Sequence, residues 1–219
     1  MTLDAVAAPT KPRLRGVWHL WAFVVAIPVG VLLGLEAGTT RERVAASIFA
    51  GSVVTMFGAS ALYHRARCGP ARRRWLRRLD HAGVFGLIAG TYTPFGLLAL
   101  SGAWRITVLA IVWGGVLAAI TLRFVWVTAP EWISASIGIA LGWVGVVVFP
   151  QILDKTGLLG ALLVLGGGLS YTLGAVIYAR RKPDPFPSVF GFHELFHALV
   201  IVAVALQYAA VGFALLPRH

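Results

Sequence analysis

Three short stretches carry the residue types that could do chemistry. Ser60 and His64, in SALYH, are four residues apart and so share one face of a helix. Asp80 and His81 follow a block of arginines and open another apolar segment. Far downstream, His193-Glu194-Leu195-Phe196-His197 sets two more histidines one helical turn apart. Metal ligation fits these types and spacings. Two histidines at i and i+4 can chelate one ion from a single helix face, and His64 from another helix adds a third nitrogen, leaving a fourth position for water. Three neutral nitrogens and an open position point to zinc (Zn2+). Asp80 could be a fourth ligand, but the role expected of it is to hydrogen-bond a metal-bound water, offset the ion's charge and accept a proton. Ser60, one turn deeper than His64, either orients that water or a substrate carbonyl, or bonds back to its own helix. His81 points about 100° away from Asp80 on a helix, as a partner behind the ligands or as a packing residue.

These residues can meet only if several helices bring them to one level. With 58% hydrophobic and 12% charged residues in 219, the chain has too much apolar surface for a water-soluble domain. Its mean hydropathy of +0.83 says the same. The sequence predicts an all-α integral membrane protein: a polar arm over residues 1–16, then seven transmembrane helices over about 17–35, 44–63, 81–100, 106–122, 132–153, 156–179 and 190–216. The first apolar run is too long for the core of a signal peptide. Cys68, the one cysteine, has no partner for an internal disulfide.

Charge sets the orientation. If the N-terminus is cytoplasmic, fourteen of the nineteen basic residues fall on inner segments, seven of them between Arg65 and Arg78. The C-terminus is then outside. The formal net charge of +11 follows this topology, and with no binding domain attached it does not indicate a nucleic-acid partner. Contact between the 65–78 loop and anionic inner-leaflet lipid is expected instead. In this orientation the second helix ends at His64, and the third and seventh begin near Asp80 and His193. All these groups reach one depth near the inner face, where unpaired polar groups in low dielectric are costly. His19 lies near the same level at the inner end of the first span and is expected to be an interfacial or hydrogen-bonded residue. Thr91 is on the side of Asp80, about three turns deeper.

Glu194 raises a competing reading, because His193 to His197 matches HExxH, in which the glutamate is a protease general base. An intramembrane zinc protease would usually show this motif ahead of its other ligands, whereas here it stands in the last helix. Glu194 is therefore expected to face the cytoplasmic interface or to pair with a basic residue such as Arg65 or Lys182.

SALYH, LDHAGVFGLIAGTYTPF and HELFH, in that order from about Arg15 to Leu216, closely resemble the bacterial hemolysin III proteins. Those belong with the progestin and adipoQ receptor family and the alkaline ceramidases. The resemblance implies a zinc ion on His64, His193 and His197, with Ser60 and Asp80 around a zinc-bound water and the site on the cytoplasmic side. One departure from the adipoQ receptor members is Glu194, where they tend to carry an uncharged residue. The combined reading is a zinc-dependent, ceramidase-like hydrolase of a lipid amide or ester near the inner leaflet of a bacterial plasma membrane, with membrane lipid as substrate or ligand. Two alternatives are a receptor or membrane-stress regulator with structural zinc, and a pore-forming cytolysin. A pore needs a continuous polar stripe along a helix, and none of the seven expected spans has one.

Overall fold

The computed structural model describes residues 11–126 and 128–216, so the first ten residues of the expected arm lie outside the described set. Seven α-helices follow in order: α1 (Val17–Leu35), α2 (Thr40–Arg65), α3 (Pro70–Leu98), α4 (Gly102–Val125), α5 (Glu131–Gly142), α6 (Phe149–Arg180) and α7 (Phe192–Ala210). Among the described residues the only β pairing is an isolated bridge between Phe186 and Phe190.

Local chemistry sets the helix ends. The Thr39 hydroxyl accepts from the Glu42 backbone N–H while the Glu42 carboxylate accepts from Thr39 N, a capping box that starts α2. Pro70 occupies the first turn of α3, where its missing N–H costs nothing. This corrects one expectation. The arginine-rich stretch 65–78 is mostly helical, since α2 runs through Arg65, α3 begins at Pro70, and only residues 66–69 connect them. Arginine, alanine and leucine are good helix formers, and long guanidinium stems let a charged helix end lie along an apolar boundary. Any anionic lipid surface would therefore meet the first turns of α3, with Cys68 in the short connection beside them.

Five segments are long and apolar enough to cross a membrane: Val17–Leu35, Thr40–Arg65, Gly102–Val125, Glu131–Arg180 and Phe192–Leu215. The fourth, at 50 residues, is too long for one crossing. Its backbone breaks at Gly157, where φ 67° and ψ 178° form a conformation open essentially only to glycine. Trp143, at the end of α5, donates from Nε1 to Thr172 Oγ1 at 3.0 Å, so the return run after Gly157 lies back against α5. Between α5 and α6 the chain passes through a 3-10 turn, Val144–Val148. Tyr92 of α3 pins this interruption, donating to Gly142 O at 2.6 Å and accepting from Gly145 N at 2.8 Å. α3 stands outside the set because arginines fill its first turns and Thr91, Tyr92, Thr93 and Pro94 dilute its apolar run.

Neighbouring helices pack in chain order, and α7 returns to α1, closing a ring. Its interior holds Phe49, Met56, Phe85, Val112, Val116 and Val204. Its outer surface is as apolar as a core: Leu35 is 76% exposed, Ile106 72% and Leu159 71%. Water would penalise that surface, and lipid solvates it. Exposed tryptophans mark the helix ends, Trp18 and Trp21 on α1, Trp104 on α4, and Trp126 and Trp132 on either side of the α4–α5 connection, as at membrane–water boundaries. The protein is an all-α, multi-pass membrane protein.

Candidate metal centre

Four helices bring polar groups to one end of the ring. α2 supplies Ser60 and His64 from its last two turns, α3 supplies Asp80 and His81, α7 supplies His193 and His197 from its first two, and α1 adds His19. Nε2 of His64 and Nε2 of His193 face each other at 3.1 Å. Ligand nitrogens of His64, His193 and His197 all lie within 4.8 Å of one another. Two ring nitrogens so close need a proton or a cation between them, since two lone pairs would repel. A proton serves one pair, but three rings converge here. The donor set could therefore hold a metal ion, and three imidazoles, two of them buried and the His193 ring half-buried, suit zinc.

Asp80 is placed for charge rather than for direct contact. Its Oδ2 lies 3.9 Å from His64 Nε2, too far for a hydrogen bond, yet near enough for its charge to act on an ion held by the histidines. Ser60 lies within reach of the same carboxylate. Its hydroxyl shares a 2.8 Å hydrogen bond with His19 Nδ1, so of the two expected orientations it adopts the one that faces the site. His81 donates from Nδ1 to the Arg77 carbonyl one turn earlier, at 2.8 Å, and its ring lines the cavity described below. It is fixed to its own helix and contacts none of the three histidines through a described hydrogen bond.

His19 is the residue whose importance the sequence understates. Its ring is 2% exposed and stacks on His197 with centroids 3.7 Å apart and planes within 8°. A lone histidine in an apolar run gives no signal of such a partner. Two tyrosines are similar: Tyr178 packs on His193 at 5.6 Å, and Tyr171 lines the cavity about two turns away along α6.

Glu194 takes the second of its expected roles, pairing with a basic residue, but not with either of those expected. It is fully buried, ion-paired with Arg15 Nε, and accepts from the Gly191 backbone N–H at 2.9 Å. The partner is thus Arg15, neither Arg65 nor Lys182. Glu194 does not line the cavity, which leaves the protease reading without its general base. The pair instead ties residues 11–16 to the first turn of α7. Backbone bonds from Arg13 N to Ser188 O at 3.0 Å and from Leu14 N to Val189 O at 3.2 Å extend the tie. Gly16 then sits directly on His64: with φ +78°, a Cβ there would lie 2.5 Å from His64 Cβ. Gly16→Ala is accordingly expected to push His64 off the other two histidines. Support residues of this kind typically cost about 10- to 100-fold in metal affinity. Chelator competition on the purified variant reads this directly, and an unchanged affinity would mean that His64 is not held from this side.

Two hollows reach the histidine cluster and share no lining residue. A cavity of ≈ 230 Å³ runs inward from His19, Ser60, Asp80, His193 and His197, past Val84, Thr91 and Phe95, to Leu100, Ile152 and Gln207. On the other side, a cleft lined by Lys11, Arg13, Arg15, Arg65, Arg67 and Arg73 has His64 in its wall. Lys11 Nζ donates to the His64 carbonyl. Partial burial, with the guanidiniums of Arg73, Arg15 and Arg65 nearby, holds the Lys11 ammonium below its ordinary pKa.

Comparison with known proteins places the chain. A family model described as haemolysin-III related matches residues 7–208. Hemolysin-3 of Bacillus cereus is 30% identical, over 93% of this chain and 91% of its own. The hemolysin-3 homolog of Bacillus subtilis (strain 168) is 28% identical, over 91% of this chain and 92% of its own. An adiponectin receptor protein of Drosophila melanogaster is 26% identical over 90% of this chain but only 49% of the receptor. With apolar helices and bacterial relatives matched over about nine-tenths of both chains, the chain is a multi-pass plasma-membrane protein and belongs to the haemolysin-III-related family.

Proposed function

We propose that the protein is a zinc-dependent hydrolase of an amide or ester bond in a membrane lipid, with seven spans, a cytoplasmic N-terminus and the metal centre near the inner leaflet. One observation carries the reading: three imidazoles converge beside a carboxylate and a hydroxyl at the polar end of an otherwise apolar cavity. A purely structural metal would not need Asp80 and Ser60 at the mouth of such a space.

His64, His193 and His197 hold the ion. When bound, zinc supplies Lewis acidity, polarising a carbonyl and easing deprotonation of water at neutral pH. Asp80 takes the proton of the attacking water and later returns it to the leaving nitrogen or oxygen, as general base and then general acid. Ser60 donates to the carbonyl oxygen as negative charge develops there. His19 fixes the Ser60 hydroxyl and, by stacking on His197, the plane of that ring. Val84, Phe85, Ile88 and Phe95 exclude water and take the acyl chain.

A pore-forming role needs a continuous polar path, whereas Leu100, Val108, Phe149 and Ile152 make the wall of the cavity apolar away from the histidines. The test is to incubate purified protein with a panel of lipid amides and esters and to score released fatty acid by mass spectrometry, before and after chelation and after zinc is restored. Release that disappears on chelation and returns with zinc supports the proposal. A protein that holds zinc and releases nothing from any lipid has a structural metal, and the receptor reading then replaces the hydrolase.

A further inference from the structure

The cationic cleft and the apolar cavity lie on opposite sides of the three histidines: His64 forms part of the cleft wall, while His193 and His197 line the cavity. Their contents differ sharply. The cavity is lined almost wholly by hydrocarbon. The cleft brings together Lys11 and Arg13 from the arm, Arg65 from the end of α2, Arg67 from the α2–α3 connection, and Arg73 from α3. No carboxylate lines it. Arg15 is engaged with Glu194, and among the described residues none of the other five cations forms an ion pair. Topology alone would place basic residues on this side of the membrane. It would not turn five of them, from four segments, into one hollow against a proposed metal-ligating histidine, because like charges so gathered repel.

From this juxtaposition we infer that the substrate is an anionic phospholipid, with its phosphate in the cationic cleft, one acyl chain in the cavity and the acyl ester between them at the three histidines. The inference rests on the hydrolase reading and narrows its substrate class from lipid amides and esters to acyl esters of a phosphate-bearing alcohol. Guanidinium groups suit the task, since they bind phosphate through paired, charge-assisted hydrogen bonds. The reaction is a hydrolysis: water adds, the acyl carbon–oxygen bond breaks, the acyl group leaves as a carboxylic acid, and the alcohol oxygen takes the proton. No oxidant or reductant is needed.

The test uses the full-length, metal-loaded protein in detergent. Native mass spectrometry compares retention of phosphatidylglycerol with that of diacylglycerol bearing the same chains. Phosphatidylglycerol is expected to be retained about tenfold more strongly, the value of one or two charge-assisted hydrogen bonds. Arg13→Gln with Arg67→Gln should remove that preference and leave diacylglycerol retention unchanged, whereas Arg67→Lys alone should keep most of it. If the double variant fails to fold, the preference of the wild-type protein should instead fall steeply with added salt. Equal retention of the two lipids by the wild-type protein would overturn the inference. So would inorganic phosphate binding through Arg13 and Arg67 with no gain for phosphatidylglycerol, which would make the cleft a site for free phosphate. Fatty-acid release separates the two levels. Release from neutral amides but not from phosphatidylglycerol would sink this inference and leave the hydrolase standing. Arginine-dependent phosphatidylglycerol retention with no release from any lipid would support the headgroup site and sink the hydrolase.

Discussion

Arg15→Ala is expected to destabilise the protein by about 3–5 kcal/mol, the usual result of stripping one partner from a buried ion pair. Glu194 has no exposed surface, and its remaining described partner would be the Gly191 backbone N–H. The loss would not stay local. Glu194 follows His193 in the first turn of α7, so an unpaired carboxylate there loosens the helix start that positions a proposed metal ligand. Arg15→Ala combined with Glu194→Gln should be milder than Arg15→Ala alone, because the neutral amide removes the stranded charge and keeps a bond to Gly191. Denaturant or thermal unfolding in one fixed detergent measures both. A loss below about 1 kcal/mol for Arg15→Ala would make the pair an ordinary surface contact.

Asp80→Asn carries the largest expected effect on chemistry. It keeps shape and hydrogen-bonding size but cannot take a proton, so turnover should fall by about 10²- to 10⁴-fold, the usual contribution of a positioned general base. Asp80 lies 3.9 Å from His64 Nε2, outside hydrogen-bond range, so zinc content should stay near that of wild type. This split between activity and metal separates a base from a ligand. A variant that loses its zinc along with its activity would make Asp80 a direct ligand, and one that keeps full turnover would remove it from the mechanism.

Much of the site is legible in the sequence because it is built from helical spacings. Ser60 with His64, and His193 with His197, declare their shared faces through the four-residue interval alone. Asp80 needs one further step, the distribution of arginines and lysines, which puts its end of α3 level with the other two. What escapes is whatever depends on a partner far along the chain. His19 reads as an isolated histidine until α1 is packed against α2 and α7, where it reaches both Ser60 and His197. Glu194 has several basic candidates in the sequence, and only the path of residues 11–16 across the start of α7 selects Arg15. The helical character of the arginine block is a different kind of miss. Charge density suggests a loop, yet Pro70 after Gly69 is a legible helix start, and the residues that follow are good helix formers. Gly157 is the opposite case: Asp154, Lys155, Thr156 and Gly157 interrupt the apolar run, and the break stands there.

The most direct test of the whole account is the metal content of the purified protein, measured by inductively coupled plasma mass spectrometry alongside His64→Ala, His193→Ala and His197→Ala. The expected result is about one zinc per wild-type chain and little or none in each of the three variants, since each removes one of only three protein ligands. Zinc retained equally by wild type and by all three variants, or absent from wild type prepared without chelator, would contradict it.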